Sequence, residues 1–350
     1  MNIQAHRRKF AGIEALRGIA AMAVVAYHVG RHFDKVYGKN IASALFQFGH
    51  AGVDLFFVLS GFIIFHAHHG DRGKPARVGN YLWRRFTRVA PLYWIALSLT
   101  VGLGLAGGHD GPSIHSLIFS ATLLPSFEEP LLGVAWTLQY EILFYAIFCL
   151  LILNKRLGLL AFAVWLIAIT VQTIGDPILK FLPPSVLGAY NCEFFFGIAA
   201  AYVIGKHGIP APRLALAAGC GLFVVSAIAE DAGSLDGYGD LARLAYGLPA
   251  MLIVGATAQM DRQSTMRVPD MLQILGAASY STYLFQFIFI GILWKALLAA
   301  GYGQSASVLC FCILFGGGVG GGIVMRRLVE APVTLLIRRR HRKSALLEQT

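Results

Sequence analysis

Stretches of about twenty apolar residues recur from one end of this chain to the other, and no other feature limits its fold so tightly. A helix needs roughly 20 such residues to cross a bilayer, where only helices and closed barrels can satisfy their own backbone hydrogen bonds. Ten runs meet that length, near 11–30, 48–68, 89–107, 134–153, 157–174, 188–205, 213–229, 243–260, 274–298 and 306–325. A short amphipathic piece at 115–124 precedes the fourth. The expected fold is an all-α membrane protein, a polytopic bundle of about ten transmembrane helices. Composition agrees: 57% of the 350 residues are hydrophobic and 13% charged, against roughly 45–50% and 25% in soluble domains. That excludes a disordered chain, a disulfide-stapled secreted domain and a typical cytosolic enzyme.

The net charge of +11 invites a nucleic-acid partner, but the basic residues fall between the apolar runs. There they set topology and hold anionic head groups, so membrane lipids are the expected partner and nucleic acid is not. Of 29 Lys and Arg, 22 lie on the N-terminal side, six on the opposite side, and Arg17 lies inside the first run. Both termini are therefore expected in the cytoplasm. His6-Arg7-Arg8-Lys9 followed by an apolar run imitates a signal peptide. Glu14 and Arg17 interrupt that run and no small-residue cleavage site follows, so a retained first helix is expected. Residues 1–337 read as one membrane domain, and 338–350, with Arg338-Arg339-Arg340-His341-Arg342-Lys343, as a basic cytoplasmic tail. No repeat of fixed period is visible, which weakens a transporter built from duplicated halves.

Ionisable groups within spans are costly and mark function. Arg17 and His28 are eleven residues apart, three helical turns, so they share one face and stand roughly 16 Å apart along the axis. Asp54, among aromatic neighbours in the second run, needs a cation or several donors. Ser60-Gly61 permits close helix approach. Arg84, Arg85 and Arg88 meet the membrane at its cytoplasmic face; Arg85 and Arg88 are neighbours if helical, and guanidinium groups suit phosphates. Glu141 lies about one turn inside the outer boundary, at a depth similar to His28, and the two make a general-base pair. Trp136 and Tyr140 read equally as interfacial anchors or as rings that stack on a substrate. The five cysteines read as buried structural thiols. The glycines of 316–322 read as helix packing, and His66, His68 and His69 lack the partners for a metal site.

These residues, in this order, resemble the acyltransferase-3 family of bacterial integral-membrane acyltransferases. Glu14 to Ala21 with Arg17 and His28 resembles its opening motif. Asp54 to Phe62, Arg85-x-x-Arg88 with Pro91-Leu92-Tyr93-Trp94, and Trp136-Thr137-Leu138 through Glu141-x-x-x-Tyr145 follow. Gly276 to Leu284 and Glu330-Ala331-Pro332 resemble its closing motifs. Three positions depart from the pattern: Thr137 replaces the usual Ser, Ile142 stands where a second Glu often follows, and Gln286 occupies a position commonly His. The resemblance implies an acyl-CoA donor, usually acetyl-CoA, and a glycan or lipid-linked oligosaccharide acceptor, in the bacterial inner membrane and without a metal. The chain stops without a soluble hydrolase-like extension and so resembles the stand-alone members, particularly exopolysaccharide O-acetyltransferases. On this reading Arg84, Arg85, Arg88 and Arg17 hold the CoA phosphates, and His28, oriented by Glu141, acts on the acceptor hydroxyl. Asp54 organises the arginines, with Ser60, Trp136, Tyr140 and Tyr145 in support. The rival classes are a transporter or flippase using His28 and Glu141 as a proton relay, and a structural subunit of an export assembly. Oligomeric state is left open, a homo-oligomer included.

Overall fold

The computed structural model describes residues 10–38, 41–174, 181–302 and 308–337. The basic start at His6–Lys9 and the tail 338–350 lie outside the described residues, as do Lys39 and Lys180. Ten helical segments are long and apolar enough to cross a membrane, and no strand occurs among the described residues. We label the helices α1 (Ala11–Tyr37), α2 (Gly52–His68), α3 (Val78–Ala106), α4 (Ile114–Thr122), α5 (Trp136–Leu153), α6 (Lys155–Ile174), α7 (Asn191–Lys206), α8 (Pro212–Asp231), α9 (Asp240–Arg262), α10 (Asp270–Ala299) and α11 (Val308–Met325). The expected amphipathic piece is α4, whose first turn is capped by the Ser113 hydroxyl accepting from the Ser116 backbone N–H.

Apolar length places the spans but not their ends. α3 begins at Val78, eleven residues before its apolar run, so Arg84, Arg85 and Arg88 sit on its helical surface. The backbone ladder is indifferent to side-chain charge, and a helix projecting past the hydrocarbon costs little. Pro91 lies inside α3 and does not stop it, as is common in spans whose neighbours supply compensating contacts. After α11 the chain winds through a π-helical turn, Arg326–Glu330, before its helix resumes to Ile337.

Without a hydrophobic force between helices in lipid, small residues decide which spans touch. α1 lies inside the bundle, with α2, α9, α10 and α11 around it. Its buried face is Gly18, Ala20, Ala21, Val24, Val25 and Val29. At the α1–α10 crossing, a Cβ on Gly276 would lie 2.0 Å from the Glu14 carbonyl oxygen, and one on Gly18 would lie 2.7 Å from the Gly276 nitrogen. The α2–α7 crossing is similar: Gly61 and Gly197 each meet backbone of the facing helix, which is the close approach expected of Ser60-Gly61. Gly276→Ala should therefore force the two backbones apart and destabilise by about 1–3 kcal/mol. A lowered melting midpoint in detergent would register it, and an unchanged midpoint would show that the crossing can yield.

α3 is the exception to this tight packing. It touches the other spans mainly through α5 and α10, and the two cavities described below run along its inner side.

Candidate active site

The wider cavity, about 870 Å³, opens where α1 begins. Five arginines line it: Arg17 from α1, Arg84, Arg85 and Arg88 from α3, and Arg326 from the π-helical turn. Trp83 supplies a flat apolar wall, and Glu14 and Glu330 are its carboxylates. Arg84 donates from Nε to Asn80 Oδ1 at 3.1 Å. Arg85 lies over the rings of Tyr81 and Tyr145, 5.9 and 5.8 Å from their centroids. Arg326 pairs with Glu330 at 3.3 Å, and Ser281 donates to the other Glu330 oxygen at 2.6 Å. Arg17 and Arg88 make no hydrogen bond or ion pair among the described residues. Guanidinium groups gathered on one cavity wall suit a multiply charged anion.

A narrower chamber of about 80 Å³ shares Arg17, Arg88 and Tyr280 with the first and continues beyond them. Its walls are largely apolar, with Phe56, Phe57, Leu59, Ile63 and Leu138, interrupted by Ser60, Thr137, Glu141, Ser279 and Tyr283. Tyr280 donates to the Val89 carbonyl at 2.9 Å and so ties α10 to α3 beside the shared wall. Glu141 accepts from Ser60 Oγ at 2.8 Å and from the Tyr145 hydroxyl one turn along α5. Tyr145 is therefore a bridge: its hydroxyl holds Glu141 and its ring lies beneath Arg85.

His28 is elsewhere. Its Nδ1 meets Gln286 Oε1 at 2.9 Å, and its ring lies against Phe287 and Tyr27, with centroids 4.5 and 5.1 Å away. It lines neither cavity. The expected pairing of His28 with Glu141 is thus a correction: each has its own partners, and Glu141 shares a chamber with Arg17 instead. An apolar run places Glu141 one turn inside the outer boundary only where its helix begins at the membrane surface. In fact Leu132, Val134, Ala135 and Thr137 are all buried, so α5 starts within the protein, and Glu141 meets Ser60 and Tyr145. The same separation removes the direct relay on which the transporter reading drew.

Asp54 is a second correction. It does not organise the arginines of the wide cavity; its cation is Arg243 of α9, at 2.6 Å, with the two side chains 0% and 1% exposed. Arg243 also lies flat over Tyr190, 4.2 Å from the ring centroid, and donates to the Gly237 carbonyl. The need for a cation is legible at Asp54, but not which cation meets it, since Arg243 stands 189 positions away. Trp136 and Tyr140 join Phe57 and Tyr190 in one aromatic cluster, and the Tyr140 hydroxyl donates to the Pro184 carbonyl at 3.1 Å. They brace helices here. His68 meets Asp71 at 2.9 Å, and no group of three or more metal-ligating side chains occurs among the described residues.

Sequence reading missed Gln286 as the partner of His28, and it missed Arg326. Tyr280, Tyr283 and Glu330 stand within motifs noticed for their family resemblance alone. Arg326 carried no signal beyond its charge; only the folded chain sets it in one cavity with the arginines of α3.

Comparison with known proteins places this geometry. A family model described as an acyltransferase domain matches residues 10–327. The chain is 32% identical over 310 residues to the exopolysaccharide production protein ExoZ of Rhizobium meliloti, covering 82% of this chain and 90% of that protein. It is 36% identical over 98 residues to protein 2 in the picA locus of Rhizobium radiobacter, 27% of this chain and 46% of that one. Over 97 residues it is 30% identical to the peptidoglycan O-acetyltransferase OatA of Listeria monocytogenes, 27% of this chain and 14% of OatA. No solved structure matches significantly. With ten candidate spans among its described residues and a family match over nearly its whole length, the chain belongs to the acyltransferase-3 family and is a multi-pass membrane acyltransferase.

Proposed function

We propose that the protein transfers an acetyl group from cytoplasmic acetyl-CoA to a hydroxyl of an exopolysaccharide glycan, or of its lipid-linked precursor, in the bacterial inner membrane. The observation that carries this reading is the pair of cavities sharing Arg17, Arg88 and Tyr280, one wide and cationic, the next narrow and mostly apolar. Acyl-CoA has the matching form: a phosphate-rich nucleotide head, then a slender arm ending in a thioester. The names of ExoZ and OatA, an exopolysaccharide production protein and an O-acetyltransferase, support a glycan acceptor and an acetyl donor.

In the reaction so proposed, the head group rests against Arg84, Arg85, Arg88 and Arg326, and Trp83 offers the adenine a surface. The arm passes Arg17 into the chamber, where Tyr283 forms part of the wall one turn before Gln286 on α10. His28, three helical turns beyond Arg17 on α1 and held by Gln286, takes the proton of the acceptor hydroxyl as its oxygen attacks the thioester carbon. The carbon–sulfur bond breaks, the ester forms, and the proton passes from His28 to the departing thiolate, leaving CoA as its thiol. Glu141 serves as counter-charge to Arg17 and Arg88 rather than as a second base. Ser60 and Tyr145 hold it in place.

Arg85→Ala and Arg88→Ala are each expected to weaken CoA binding by about tenfold or more, since hydrogen bonds to charged groups contribute about 1.5–3 kcal/mol. Calorimetric titration of the purified protein with CoA measures this. Unchanged affinity in both variants would remove the phosphate role.

A further inference from the structure

A neutral imidazole has one N–H and one lone pair, and which nitrogen holds the proton is settled by the group it faces. His28 faces the side-chain amide of Gln286, which is fully buried. The orientation of that amide is itself determined. Gln286 Nε2 lies 3.0 Å from the Tyr283 backbone carbonyl, one turn earlier on α10. Turning the amide over would set two carbonyl oxygens against each other with no proton between them. The amide nitrogen therefore donates to Tyr283, and Oε1 is the atom that meets His28 Nδ1 at 2.9 Å. A carbonyl oxygen only accepts, so Nδ1 must carry the hydrogen.

We infer that Gln286 is a positioning residue that holds His28 in its Nδ1–H tautomer and presents Nε2 as the lone pair that receives the acceptor's proton. The inference rests on the reading of His28 as the base. Gln286 touches neither substrate in that reading; it acts through His28. Phe287 and Tyr27 confine the ring from the sides, but neither specifies the tautomer: Phe287 has no polar atom, and the Tyr27 hydroxyl meets Tyr238. A neutral amide also suits this depth: it orients the ring without placing a charge in the membrane interior, where an unpaired carboxylate is costly.

Two substitutions separate orientation from packing. Gln286→Met keeps the length and removes the acceptor. Gln286→Glu in its protonated form can reproduce both contacts, its hydroxyl donating to Tyr283 and its carbonyl oxygen accepting from Nδ1. The expected result is that Gln286→Met lowers kcat by at least roughly tenfold, as mis-set tautomers do elsewhere, with KM for acetyl-CoA unchanged. Gln286→Glu should recover most of the turnover. Nitrogen-15 NMR of histidine-labelled full-length protein in detergent, with His28 assigned by subtraction of a His28→Gln spectrum, should show the Nδ1–H form in the parent chain. That form should be lost in Gln286→Met. An Nε2–H tautomer in the parent chain overturns the proposal, as does a Gln286→Met variant that keeps its kcat or loses it with the tautomer unchanged. If a variant fails to fold, the parent spectrum alone decides. Full turnover by His28→Gln would instead remove the base assignment and leave the tautomer assignment to the spectrum.

Discussion

Replacing His28 with alanine should abolish acyl transfer while leaving a folded protein that still binds CoA. General-base assistance is worth about 10²–10⁴-fold, and the substitution leaves nothing at that depth to replace it: Gln286, the neighbouring polar side chain, has no base to offer. Folding should survive because His28 is only partly buried and its side-chain hydrogen bond among the described residues is to Gln286. Removing it strands a single amide oxygen, at a cost of about 1–3 kcal/mol. CoA affinity should be unchanged, since roughly 16 Å of helix separates His28 from Arg17. Radiolabelled acetyl transfer by the purified variant, set beside CoA titration, reads both halves. Near-normal turnover would exclude His28 from the mechanism and turn attention to Glu141 in the chamber.

Asp54→Ala should have an effect of a different kind, the loss of folded protein. It leaves the Arg243 guanidinium buried without its carboxylate, and breaking a buried pair from one side costs about 3–5 kcal/mol. Against a total stability of about 5–15 kcal/mol, that is a large fraction. The double variant Asp54→Ala/Arg243→Met should recover much of the loss, because an apolar replacement of both partners removes the stranded charge. Yield and melting midpoint in detergent measure both. Should Asp54→Ala fold normally and lose CoA affinity instead, the aspartate would belong to the cationic cavity after all.

The two corrected residues explain how far sequence reading reaches into the site. Asp54 announced that it needed a cation, since a carboxylate among phenylalanines cannot stand alone. Which cation it takes depends on how α2 and α9, 189 positions apart at the paired residues, pack together. The Arg17–His28 stripe was legible because helical periodicity is local, whereas the level of Glu141 depended on where α5 begins. Leu132, Val134, Ala135 and Thr137 are buried there, and apolar patterning reads the same for a run at the surface and one inside a bundle. Gln286 and Arg326 needed the tertiary arrangement outright.

What the amino-acid order determined by itself is the number of spans and the order of their motifs, because bilayer thickness and the 3.6-residue turn act on each segment separately. What only the tertiary structure decided is who meets whom: His28 with Gln286, Glu141 with Ser60 and Tyr145, Asp54 with Arg243. Those meetings follow from backbone contact at glycines such as Gly18 and Gly276, where the absence of one carbon sets how near, and at what height, two helices cross.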